Sequence, residues 1–96
     1  MILKKRIKIR NPQGLHARPA SIFVKIANRF ESEVTVRKGV EAVNGKSIMG
    51  LMTLAANQGS LLELEVSGND AEQALAELEQ FLVSDSDEEK SKGGVK

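Results

Sequence analysis

The chain has 96 residues, with 14 Lys and Arg against 13 Asp and Glu. The resulting net charge of +1 calls for neither nucleic acid nor a membrane surface as partner, and the length suits one domain with a single core. With no Cys and one His, a disulfide framework, a thiolate metal site and a histidine metal cluster are excluded, and neither metal nor cofactor is expected.

Met1-Ile2-Leu3 gives way at once to Lys4-Lys5-Arg6, which is not the apolar run of a signal peptide, and no stretch approaches the roughly 20 apolar residues of a membrane span. The expectation is a soluble, cytoplasmic monomer. From Leu3 to Arg10 the residues alternate, with Leu3, Ile7 and Ile9 on one side and Lys4, Arg6, Lys8 and Arg10 on the other, the period of a half-buried strand. Lys5 breaks that pattern.

Asn11-Pro12-Gln13-Gly14-Leu15-His16-Ala17-Arg18-Pro19-Ala20 follows and sets the single histidine at a helix start. Gly14 supplies a turn, and Pro19 is tolerated in a first helical turn, where its missing N–H costs nothing. His16 then sits at the positive pole of the helix, where free N–H groups, among them that of Ala17, favour an anion and a neutral, nucleophilic ring. Arg18 adds a permanent charge for phosphoryl oxygens. A lone histidine at such a place can also be a plain helix cap or simply face solvent. Ala20, Phe23, Ala27 and Phe30, flanked by Ile22 and Ile26, continue as an amphipathic helix over residues 17–30.

Val34 and Val36 alternate with Glu33, Thr35 and Arg37, and Lys38-Gly39 predicts a hairpin turn into a strand from Val40 to Val43. Residues 47–56 read as a short helix with Ser47 as its N-cap. On a wheel advancing about 100° per residue, Ile48, Met49, Leu51, Met52, Leu54 and Ala55 cover an arc of about 220°, more than a core stripe needs. Leu51, Leu54 and Ala55 can face a sheet, which leaves Ile48, Met49 and Met52 as an adaptable docking surface, unless the methionines only fill core. Leu62, Leu64 and Val66 alternate with Glu63 and Glu65 as a fourth strand. Asp70 with Gln73 reads as a capping box for a last helix that buries Ala71, Ala74, Leu75, Leu78, Phe81 and Leu82.

The predicted order βαββαβα, with each strand apolar on one face, implies an α+β open-faced two-layer sandwich: three helices over one side of a four-stranded antiparallel sheet. The basic outer residues of the first strand suit the acidic ones of the fourth, which favours the strand order 1-4-2-3. Residues 1–84 form the expected domain. Residues 85–96 keep one apolar side chain and are expected to be a charged, disordered tail.

His16-Ala17-Arg18-Pro19-Ala20 after Gly14-Leu15 resembles the active-site signature of the histidine-containing phosphocarrier (HPr) family of the bacterial phosphoenolpyruvate:sugar phosphotransferase system. Val43-Asn44-Gly45-Lys46-Ser47-Ile48-Met49-Gly50-Leu51-Met52 is similar to that family's regulatory serine and the helix after it. The resemblance implies the same fold. It also implies that His16 accepts a phosphoryl group from phospho-enzyme I and passes it to an enzyme IIA, with Arg18 and the Ala17 N–H stabilising the group. It makes Ser47 a phosphorylation site for HPr kinase/phosphorylase, and Leu15, Ala20, Ile48, Met49 and Met52 partner-binding residues. The chain would then be a carrier, not a stand-alone enzyme, since one histidine without a carboxylate or metal partner is a thin catalytic apparatus.

Two other readings stay open. A mainly regulatory paralogue, such as the nitrogen-related branch, would act by phosphorylation-dependent protein binding. A nucleic-acid module would use Lys4, Arg6, Lys8 and Arg10, but the chain has no Tyr or Trp to stack on bases, and its three Phe read as helical core.

Overall fold

Residues 1–84 are described in a computed structural model of the chain; the expected tail, residues 85–96, lies outside them. Four strands, β1 (Ile2–Lys8), β2 (Glu33–Lys38), β3 (Glu41–Asn44) and β4 (Leu61–Ser67), alternate with three helices, α1 (Ala17–Ala27), α2 (Ile48–Thr53) and α3 (Ala71–Leu82). The strands pair antiparallel in the order β1-β4-β2-β3, the order that the charge pattern favours.

The register follows from the alternation. Leu3 and Ile7 of β1 face Val66 and Leu62 of β4, and Val34 and Val36 of β2 face Val66 and Leu64, so these apolar side chains gather on one side of the sheet. That side packs against Phe23, Ile26, Leu51, Leu54, Leu78 and Phe81 from the helices, which closes the core. On the other side Lys4 lies opposite Glu65 and Arg6 opposite Glu63. Arg37 of β2 donates to Glu65 and reaches Glu63 at 3.5 Å. The hydrogen bond from Arg37 holds the Glu65 carboxyl below its ordinary range.

Lys5 has the parity of the buried face, opposite Leu64, yet β1 is an edge strand, and its ammonium escapes to Glu79 of α3 at 2.9 Å. The exception in the alternation is therefore a strand-to-helix ion pair. Such a long side chain can lie along the sheet edge with its charge in water.

Several boundaries differ from expectation. Strand pairing of β1 stops at Lys8, although Ile9 stays buried and exchanges backbone bonds with Gly59 and Ser60. Helix α1 ends at Ala27, so the half-buried Phe30 packs from the following turn instead of from a helix. The hairpin turn is Gly39-Val40, and Lys38 belongs to β2 on the face of Val34 and Val36. From there its ammonium donates to the carbonyls of Leu54 and Ala55 at 3.3 and 3.1 Å and closes the C-terminal end of α2. Helix α2 consequently stops at Thr53 instead of near Ala56. Ala55 adopts a left-handed φ of 51°, which turns its methyl outward and sends Ala56 into the core in its place.

The capping box is also replaced. Asp70 is the N-cap of α3 but makes no side-chain cap bond; its carboxylate instead accepts from the backbone N–H groups of Glu31 and Ser32 and from the Ser32 hydroxyl. Three donors in the chain between α1 and β2 outcompete the helix's own N–H groups.

Candidate functional site

The segment between β1 and α1 is built to present His16. Asn11, itself buried, accepts the Gln13 N–H on its side chain at 2.9 Å and the Gly14 N–H on its carbonyl at 3.0 Å, which folds the chain back on itself. Gly14 takes a left-handed φ of 64°, and a Cβ there would overlap the Ala56 carbonyl oxygen, so only glycine permits this approach. The next residue fastens the contact: the Leu15 N–H donates to the same Ala56 oxygen at 2.8 Å, while the Leu15 side chain enters the core.

His16 is then the N-cap of α1. Its backbone is extended, with φ −83° and ψ −167°, and its carbonyl accepts the first helical bond from Ala20 at 2.8 Å. Its side chain makes no cap bond, so the exposed ring projects from the helix start instead of folding onto it. The His16 side chain therefore does not cap the helix; it faces solvent. Ala17, the first helical residue, has no intrahelical acceptor for its N–H, and exposed Arg18 stands one residue further along the same turn. A nucleophilic ring nitrogen, backbone N–H donors and a guanidinium at a helix N-terminus can together accept and hold a phosphoryl group.

Sequence reasoning missed Asn57. Its Oδ1 lies 3.0 Å from His16 Nε2, and no motif announced it, because Asn57-Gln58-Gly59 signals only a turn.

The second motif forms the start of α2. Ser47 is its N-cap, and the hydroxyl accepts the Gly50 N–H at 3.0 Å. Lys46 braces the loop before it by donating to the Phe30 carbonyl at 2.7 Å. Leu51 and Leu54 are buried, whereas Ile48, Met49 and Met52 are 40%, 74% and 43% exposed. Helix α2, which carries this surface, packs against α1. Helix α2 is about 9 Å long and its C-terminal end leads to Ala56, so Ser47 stands at the far end of the patch from His16.

Two expected partner-binding residues are corrected. Leu15 and Ala20 are 2% and 0% exposed; their side chains belong to the core and offer nothing to a partner. Among the described residues no group of His, Cys, Asp and Glu is placed to hold a metal ion, and no helix is long and apolar enough to cross a membrane.

Comparison with known proteins agrees with this geometry. The family described as PTS HPr component phosphorylation site matches residues 3–84. The chain belongs to the HPr family. It is 48% identical over 81 residues to the phosphocarrier protein HPr of Neisseria meningitidis serogroup A, covering 84% of this chain and 91% of that one. It is 44% identical over 81 residues to the HPr-like protein Crh of Halalkalibacterium halodurans, covering 84% and 96%. The crystal structure of an HPr from Bacillus anthracis superposes with a TM-score of 0.82 at 42% identity, over 84% of this chain and 96% of that one. The HPr match thus takes in both motifs and, from the second residue of β1 onward, the elements through α3, and the chain shares the HPr fold.

Proposed function

We propose that His16 accepts a phosphoryl group from phospho-enzyme I, charged from phosphoenolpyruvate, and passes it to a sugar-specific or regulatory enzyme IIA. The observation that carries this reading is the exposed His16 ring at the start of α1, uncommitted to capping and inside the HPr match. Arg18 and the Ala17 N–H stabilise the phosphoryl oxygens, and the apolar surface of Ile48, Met49 and Met52 docks the donor and acceptor proteins. The protein works as a cytoplasmic monomer.

Ser47 is the regulatory site, phosphorylated by HPr kinase/phosphorylase. A phosphate of about −2 charge replaces the hydroxyl at the edge of the docking patch, where a partner would have to bury it. Because α2 separates Ser47 from His16, the effect runs through the shared partner surface and not through contact with the ring.

A second reading, a mainly regulatory member of the family, has the likeness to Crh in its favour. Incubation with enzyme I, phosphoenolpyruvate and an enzyme IIA, read as phosphoryl content of each protein, separates the two. Passage of the group through this chain to enzyme IIA supports the carrier. A chain that remains unphosphorylated, or that never releases the group to enzyme IIA, supports the regulator.

A further inference from the structure

We propose that Asn57 is a positioning residue for phosphoryl transfer: its side-chain oxygen holds the His16 ring through Nε2 and leaves Nδ1 as the nucleophile. This rests on the carrier reading of His16. The amide oxygen of Asn57 only accepts hydrogen bonds, so at 3.0 Å from Nε2 it fixes the ring proton on that nitrogen, and the lone pair falls to Nδ1. Asn57 can do this because its own backbone is pinned. The neighbouring Ala56 carbonyl takes the Leu15 N–H at 2.8 Å, and the Asn57 carbonyl takes the Ser60 N–H at 3.0 Å, so the two segments that carry the pair are fastened to each other and to the turn before β4.

In the transfer step the Nδ1 lone pair forms the N–P bond while the donor's bond to phosphorus breaks, and that electron pair returns to the donor atom of enzyme I, which departs without its phosphoryl group. The Nε2 proton stays in place. The ring now carries a positive charge, and the bond from Nε2 to the Asn57 oxygen becomes charge-assisted. Asn57 therefore selects the attacking atom beforehand and favours the charged ring once the phosphoryl group is on it.

The test reads ring-nitrogen NMR shifts of labelled histidine at about pH 9, where a histidine ring is neutral, in the full chain, Asn57→Ala and Asn57→Asp. It is combined with the initial rate of phosphorylation by enzyme I for the full chain and Asn57→Ala. The unmodified protein should show more Nε2-protonated tautomer than a free histidine peptide, Asn57→Ala should return to the peptide value, and Asn57→Asp, which keeps an acceptor oxygen, should retain the bias. The rate for Asn57→Ala should fall about fivefold, the worth of one hydrogen bond. The thermal midpoint should not move, since the side chain is exposed. A peptide-like tautomer ratio in the unmodified protein, or an unchanged rate in Asn57→Ala, overturns the proposal. Tautomer bias in a chain that enzyme I never phosphorylates overturns the carrier reading itself, and with it the catalytic purpose of the contact.

Discussion

The carboxylate of Asp70 accepts both the backbone N–H and the hydroxyl of Ser32, and the pair fastens the start of α3 to the segment that leads into β2. These bonds, together with one from the Glu31 N–H, hold the Asp70 carboxyl below its ordinary range. A group depressed in the folded state stabilises the fold above its unfolded value and loses that contribution as pH falls through the lower folded value. The thermal midpoint should therefore drop below about pH 4, and Asp70→Asn should flatten that dependence while lowering the midpoint at neutral pH. Parallel curves for the two proteins would show that the Asp70 contacts carry no acid sensitivity.

Ser47 has two separable roles. Ser47→Ala removes the bond from the Gly50 N–H and should cost about 1 kcal/mol, read as a fall in thermal midpoint, with little change in the rate of His16 phosphorylation. Phosphorylation of Ser47 should do the opposite: the midpoint holds, since the helix N-terminus tolerates negative charge, while transfer from enzyme I slows. Ser47→Asp should imitate part of that loss. Equal transfer rates in the unmodified, phosphorylated and Ser47→Asp proteins would remove the regulatory role, and a slow rate with a collapsed midpoint would mean damage to the fold.

Met49→Glu should weaken binding to enzyme I by tenfold or more, on the order of a single interface anchor, and Met52→Glu by less, because Met52 is the more covered of the two. Neither should shift the thermal midpoint by more than a few degrees. Calorimetric titration against enzyme I beside a melting curve tests both halves. An unchanged affinity would place the docking surface elsewhere, and a large loss of stability would place these side chains in the core.

The fold was legible because the strands alternate, with most of their apolar residues on one face, and the basic and acidic outer faces of β1 and β4 complement each other, which is a long-range statement written in local periodicity. Helix ends were less so. Phe30 continues the apolar spacing of α1 although the helix has stopped, and Ala55 turns outward through a backbone angle that its side chain does not announce. In the site, His16, Ser47 and the exposed Met49 could be placed from spacing and motif, but Asn57 could not, because its contact with His16 spans 41 positions and depends on the Leu15 to Ala56 bond. Ala20 shows the opposite error. Its place in the apolar stripe of α1 already marked it as core, and the motif resemblance drew it into the docking surface against that signal.

The carrier account rests on His16 above all. The most direct measurement is the intact mass of the full chain and of His16→Ala after incubation with enzyme I and phosphoenolpyruvate, with melting curves recorded on both. The account predicts one acid-labile phosphoryl group on the full chain, none on His16→Ala, and closely similar thermal midpoints, since the exposed ring fills no core. Acid-labile phosphate persisting on His16→Ala, or no phosphate on the full chain, would contradict it.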